Sequence, residues 1–176
     1  MRVRSYGILV GLLGSITLAF AGGSAIDIKT VKYKEMGDIV AKNRGKVVVV
    51  DFWGDFCIPC KKEFPHLVEL SKKYGPQGLV AISVAVDPPK EDSKEQTALR
   101  QRLLKFLTKQ NATFTNLYLD EPSEVWLKKL DVAEVPCVFV FDRQGKYYRF
   151  GGSAEAPRKA EYSGIEPLVV ELLKAK

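Results

Sequence analysis

Two cysteines separated by two residues, Cys57-Ile58-Pro59-Cys60, follow the apolar run Val47-Val48-Val49-Val50-Asp51-Phe52-Trp53 and precede a helix-compatible stretch that begins Lys61-Lys62-Glu63-Phe64. This spacing suits dithiol–disulfide exchange. At a strand-to-helix junction the pair can close a disulfide ring while the first thiol stays exposed at the helix N-terminus. There, unpaired amide N–H groups and the helix dipole stabilise the attacking thiolate. Two other uses of the motif fit less well. A structural zinc site needs a second close-spaced ligand pair, and outside the motif the chain offers only Cys137 and His66. A purely structural bridge would not call for a strand before it and a helix after it.

Hydrophobic patterning predicts the elements that must hold the pair. Ile26 to Val31 reads as a short strand, Tyr33 to Asn43 as a helix, and Lys46 to Trp53 as a strand buried on both faces. Cys57 to Tyr74 reads as a helix kinked at Pro65. Leu79 to Val86 is a second buried strand, stopped by Asp87-Pro88-Pro89. From Ser93 to Gln110, Leu99, Leu103, Phe106 and Leu107 recur at helical spacing and should lay one stripe on the sheet. Leu117 to Leu119 is a short extended piece, Ser123 to Leu130 a helix capped by Ser123, and Cys137 to Phe141 a strand. Asp142-Arg143-Gln144-Gly145 turns into Lys146 to Phe150 as a hairpin, and Pro167 to Lys174 closes the chain as a helix.

The N-terminus bears on the compartment. Met1-Arg2-Val3-Arg4 is basic, Tyr6 to Phe20 is apolar or small, and Ala19-Phe20-Ala21 has the small-x-small form of a cleavage site, with Gly23-Ser24-Ala25 as a second. Residues 1–25 are therefore expected to be a cleaved signal peptide, or else an N-terminal membrane anchor, ahead of one domain over residues 26–176. Either way that domain is expected outside the cytoplasm, in a periplasm-like space where disulfides persist and a dithiol enzyme must be recharged by another protein. Without the two leader arginines the net charge falls from +6 to +4, spread over lysine-rich helical faces. A basic surface without aromatic interleaving does not suggest nucleic-acid binding.

Asp51-Phe52-Trp53 before Cys57-Ile58-Pro59-Cys60, with Val135-Pro136 before a later strand, resembles the thioredoxin superfamily. Phe52-Trp53-Gly54, Cys60-Lys61-Lys62-Glu63-Phe64-Pro65 and Phe139-Val140-Phe141-Asp142-Arg143-Gln144-Gly145-Lys146 resemble more narrowly the extracytoplasmic branch that holds the TlpA, ResA and CcmG proteins. The similarity runs from about Lys46 to Gly151. It implies an α/β, thioredoxin-like fold, a central mixed sheet flanked by helices, with an insertion before the C-terminal hairpin that Asp87 to Leu119 would supply.

The resemblance also implies roles. Cys57 would attack, and Cys60, one turn further in, would resolve the mixed disulfide. Pro136 would be a cis-proline that leaves Val135 to pair with an extended substrate segment. Two acids compete for proton handling. Asp51 matches the thioredoxin acid, and its burial should favour the protonated carboxyl. Glu63 matches a functional glutamate of ResA-like proteins, whose pattern has no acid at the position of Asp51. Trp53 would shield the dithiol, while Phe56 and Ile58 would form an apolar rim for protein substrates. Because Ile58-Pro59 brings no cation to the thiols, a reducing pair is expected rather than a strong oxidant. Cys137 stands where the family more often has threonine and has two readings, a buried inert thiol or a third redox thiol. His66 is expected on the helix surface.

The resemblance and these residues together imply an extracytoplasmic thiol–disulfide oxidoreductase, a protein-disulfide reductase working through a mixed disulfide, and the ResA-like motif around Glu63 implies apocytochrome c in cytochrome maturation as the specific substrate. By the same resemblance a membrane thiol carrier of the CcdA or DsbD type would supply its electrons. No metal or cofactor is implied, and a monomer is expected. Alternative readings are a reductase or isomerase of broad specificity, and a non-catalytic copper carrier or binding module of the same fold. The carrier reading is the weaker, because such carriers tend to use Cys-x-x-x-Cys with a distant histidine.

Overall fold

A computed structural model describes residues 26–175 of the chain; the predicted leader lies outside them. Six strands form one sheet in the order β1-β4-β3-β2-β5-β6. They are β1 (Lys29–Val31), β2 (Val47–Trp53), β3 (Leu79–Ala85), β4 (Thr115–Leu119), β5 (Cys137–Phe141) and β6 (Tyr147–Gly151). The first four in that order run parallel, and β5 and β6 pair antiparallel, so the sheet is mixed as predicted. All seven residues of β2 are buried, as a central strand with neighbours on both edges and helices over both faces requires.

Five helices cover the sheet: α1 (Tyr33–Ala41), α2 (Ile58–Tyr74), α3 (Ser93–Gln110), α4 (Ser123–Leu130) and α5 (Tyr162–Lys174). The stripes of α2, α3 and α5 share one core with Val47, Val49 and Trp53, and so lie on one face. Met36 of α1 and Trp126 of α4 pack on the other face against Val48, Val50 and Phe52. Strand alternation sorts the side chains of β2 between these two layers. The predicted insertion becomes α3 and β4, and β4 slots between β1 and β3, which widens the sheet by one strand.

Two expectations need correction. Ser123 is not a cap: Pro122 holds the N-cap position of α4 and makes no side-chain bond there, so Ser123 begins the helix itself. At α3 the cap is Asp92, which accepts from the amides of Lys94 and Glu95. The closing helix begins at Tyr162, five residues before the predicted start, and runs through Pro167. A proline there removes one internal hydrogen bond. Tyr162, Ile165, Val169 and Leu172 are nonetheless all buried at helical spacing, and burying each such side chain is worth about 1.5–3 kcal/mol. Packing therefore outweighs the missing bond.

Candidate active site

The dithiol sits where β2 hands over to α2. Cys57 is the N-cap of α2 and is joined to Cys60 in a disulfide. The Cys60 amide donates to Cys57 Sγ at 3.3 Å, so an orphan N–H of the first turn already points at the first sulfur. Cys57 was expected to be exposed, but only 5 % of its surface is accessible, against 2 % for Cys60. The exposed atoms belong to its neighbours, since Phe56 and Ile58 are 62 % and 68 % accessible. Gly54 leaves room for the Phe56 part of this rim. A Cβ there would lie 2.5 Å from the Phe56 ring, which folds back over the glycine backbone.

Trp53 lies beneath the rim rather than in it. It is wholly buried, with its ring centroid 4.8 Å from Phe106 and 5.3 Å from Phe64. Phe106 comes from α3, so the insertion covers the tryptophan and removes it from the surface a substrate would meet. The same helix reaches the loop before Cys57 by charge. Asp55 Oδ1 pairs with Lys61 at 2.5 Å and Oδ2 with Arg102 of α3 at 2.8 Å. Partial burial opposes the Asp55 charge, but the two cations outweigh it and hold its carboxyl below the ordinary range. Beneath them the Asp55 amide donates to both oxygens of the buried Asp87, at 3.0 Å each. Burial raises the Asp87 carboxyl, with that N–H working against it.

The Val135–Pro136 peptide is cis. Register puts it at the same end of the sheet: Phe52 pairs with Cys137, so Pro136 falls beside Trp53. A glycine pair clamps this loop. Gly151 and Gly152 have φ of +69° and +86°, and the Gly152 amide donates to the Pro136 carbonyl at 3.1 Å. The Gly152 carbonyl in turn accepts from Ala133 and Glu134, at 2.7 and 3.2 Å. A Cβ on Gly151 would stand 2.4 Å from the Pro136 oxygen, so only glycine fits. Among the described residues the N–H and C=O of Val135 make no backbone hydrogen bond.

The two acids lie on the elements that flank the dithiol, Asp51 on β2 and Glu63 on α2. Asp51 shares the sheet face of Trp53 and is 3 % accessible, and burial raises its carboxyl to about 7. Tyr162 Oη opposes that rise by donating to Asp51 Oδ2 at 2.8 Å, while the charge of Glu63 adds to it. Glu63 Oε2 accepts from the Tyr162 amide at 3.1 Å, which satisfies an orphan donor at the start of α5. Tyr162 is the residue sequence reading missed. Its signal was present in the spacing to Ile165 and Val169, but Pro167 drew the helix start downstream.

Cys137 is fully buried and packs in the opposite layer, with Phe52 and Phe139 rather than with Cys57 and Cys60. Burial pushes its thiol up to about 12. His66 is exposed, with Nδ1 3.4 Å from Glu69. Among the described residues no group of three His, Cys, Asp or Glu side chains is placed to hold a metal ion, and no helix is long and apolar enough to cross a membrane.

A sheet of this order, with a Cys-x-x-Cys disulfide opening a helix and a cis-proline at the adjoining strand end, defines a thioredoxin-like thiol–disulfide oxidoreductase. The chain belongs to the AhpC/TSA family, whose model matches residues 22–148. It is similar to the thiol-disulfide oxidoreductase ResA of Geobacillus thermodenitrificans, with 28% identity over 169 residues, covering 95% of this chain and 90% of that one. Among solved structures it resembles a candidate thiol:disulfide interchange protein DsbE from Chlorobium tepidum, at a TM-score of 0.57 and 25% identity over 76% of this chain and 84% of that one. A secreted Mycobacterium tuberculosis disulfide oxidoreductase, homologous to E. coli DsbE, shares the fold at a TM-score of 0.56 and 20% identity, over 75% of this chain and 86% of that one.

Proposed function

We propose that the chain is an extracytoplasmic protein-disulfide reductase, with apocytochrome c before haem attachment as its substrate. The observation that carries this reading is the unpaired backbone of Val135 at the same sheet end as the Cys57–Cys60 disulfide, with Phe56 and Ile58 exposed around it. An extended, cysteine-bearing segment can pair with that backbone and lay apolar side chains on the rim. In the reduced enzyme the Cys57 thiolate attacks one substrate sulfur, and the other leaves as a thiolate. Cys60 then attacks Cys57 Sγ, which restores the ring and frees the second substrate thiol. Asp51 takes the Cys60 proton. Glu63, half-buried beside it, holds the start of α5 and adds the negative charge that keeps the Asp51 proton affinity high.

Residues 1–25 are proposed as the leader that exports or anchors the domain, and a membrane thiol carrier of the CcdA or DsbD type as the electron donor. The direction of the reaction is tested by equilibrating the Cys57/Cys60 pair against redox buffers. A potential near that of thioredoxin, about −270 mV, supports a reductase, whereas one near −120 mV overturns it. The substrate is tested by incubating reduced Cys60→Ser protein with an oxidised peptide carrying a haem-attachment Cys-x-x-Cys-His segment. A stable mixed disulfide through Cys57 is expected, and the same yield from an unrelated disulfide peptide would favour broad specificity.

A further inference from the structure

Tyr162 stands between the two acids and touches each through a different atom, Asp51 through its phenol at 2.8 Å and Glu63 through its amide at 3.1 Å. The side chain is almost entirely enclosed, so its hydroxyl needs a protein partner, and that partner is the carboxyl. Every element around Asp51 can be named. From α2 comes the Glu63 carboxylate, whose charge disfavours a second one nearby. Strand β3 places Ser83 beside Asp51 with its hydroxyl given to Asn116 at 2.8 Å, and β5 places Val138 on the other side. Cys137, whose thiol feels the Asp51 charge, lies in the layer across the sheet. Among the described residues, Tyr162 therefore supplies the hydrogen-bond donor to an ionised Asp51.

We propose that Tyr162 is a positioning residue for proton transfer in the dithiol cycle, its phenol readying Asp51 to receive the Cys60 proton while its amide fixes Glu63. The proposal rests on the exchange chemistry described above. In the resolving step Cys60 gives its proton to Asp51, and the Cys60 sulfur bonds to Cys57 Sγ. The bond between Cys57 and the substrate sulfur breaks, and the electron pair leaves on that sulfur, which is protonated on release. Two electrons pass from the enzyme dithiol to the substrate. The phenol keeps its own proton throughout. By donating to Oδ2 it eases the charge on Asp51 and leaves Oδ1, which no hydrogen bond among the described residues occupies, to take the proton.

The test compares full-length wild type with Tyr162→Phe, Asp51→Asn and the double variant. Phenylalanine removes the hydroxyl but keeps the ring and the amide that Glu63 binds. Two quantities are read: the Asp51 carboxyl titration by 13C NMR, and the pH dependence of resolution of a preformed mixed disulfide between Cys57 and a small aromatic thiol. In Tyr162→Phe the Asp51 half-point and the resolution profile should both move up by about one unit, the size expected for one lost hydrogen bond to a charged group. In the Asp51→Asn background the same substitution should change nothing. An unmoved half-point, or an equal shift of the profile without Asp51, overturns the proposal. Should Tyr162→Phe fail to fold, the wild-type Tyr162 ring carbon bearing the hydroxyl must titrate together with Asp51, and independent titration overturns the proposal equally. Failure of the wild type to reduce insulin would remove the reductase reading, while the carboxyl titration still decides the role of Tyr162.

Discussion

The Tyr162 hydroxyl donates to Asp51 Oδ2 at 2.8 Å across 111 residues of sequence, and so fastens the last helix to the central strand that leads into the dithiol. A carboxyl buried in a strand of valines is costly unless neutral or bonded, and Asp51 is bonded. The bond does not fully offset desolvation, since the carboxyl still titrates at about 7.

Stability should therefore fall as pH rises through a defined window. Between the unfolded carboxyl pKa near 3.8 and the folded value of about 7, the folded state holds more protons than the unfolded chain. The penalty is absent below about pH 4, grows across the window and is complete above about 7, reaching roughly 4 kcal/mol. Thermal unfolding of the oxidised protein should show a higher Tm at about pH 5 than at about pH 8, and Asp51→Asn should flatten that slope. An unchanged slope in the variant would place the dependence on other groups.

Much of this arrangement was legible in the chain. Cys57-Ile58-Pro59-Cys60 after four valines marked the exchange site because it is a local pattern, whereas the cis peptide at Val135-Pro136 was expected only from the resemblance to the thioredoxin superfamily. Local patterning also placed β2, α3 and β5, each with strong periodicity or a continuous apolar run. What escaped was non-local. The packing of Phe106 of α3 on Trp53 depends on the insertion folding over β2, and the bridging by Tyr162 depends on a helix docking between β2 and α2. Such contacts exist only once separated segments meet, and no spacing rule in the chain encodes them.

Cys137 should behave as a packing residue. Its thiol is wholly enclosed, raised to about 12, and separated by the sheet from the layer of Cys57 and Cys60. Native oxidised protein should resist iodoacetamide at about pH 8 and take up one equivalent only in denaturant, since a neutral buried thiol is unreactive. Cys137→Ala should keep the exchange rate and lose about 1 kcal/mol of stability. A drop in exchange rate with unchanged stability would instead revive a redox role.

The buried Asp87 should matter more than its distance in sequence from the cysteines suggests. Its two oxygens both receive the Asp55 amide, two residues before Cys57. Asp87→Ala would leave that amide without its acceptor, at a cost of about 1–3 kcal/mol, whereas Asp87→Asn keeps one carbonyl oxygen and should cost less. Amide hydrogen exchange at Asp55 checks the mechanism. It should accelerate strongly in the alanine variant and modestly in the asparagine one, and equal rates in both would show that the carboxyl is not what holds the loop.

The clamp on the cis-proline loop makes the sharpest separation between small and protein substrates. Gly151→Ala would force a Cβ to 2.4 Å from the Pro136 oxygen and 2.8 Å from the Ala160 methyl, at a φ of +69°. The loop must give way, at a cost of about 1–3 kcal/mol for the strained backbone alone. The dithiol itself stays in place, since Cys57 and Cys60 are held by β2 and α2. Exchange with a small disulfide should therefore change little. Reduction of insulin, which needs an extended segment paired with Val135, should slow by about tenfold, as a loss of about 1.4 kcal/mol of transition-state binding implies. Equal slowing with both substrates would mean that the loop serves the dithiol rather than the substrate chain, and the role given to Val135 would fall.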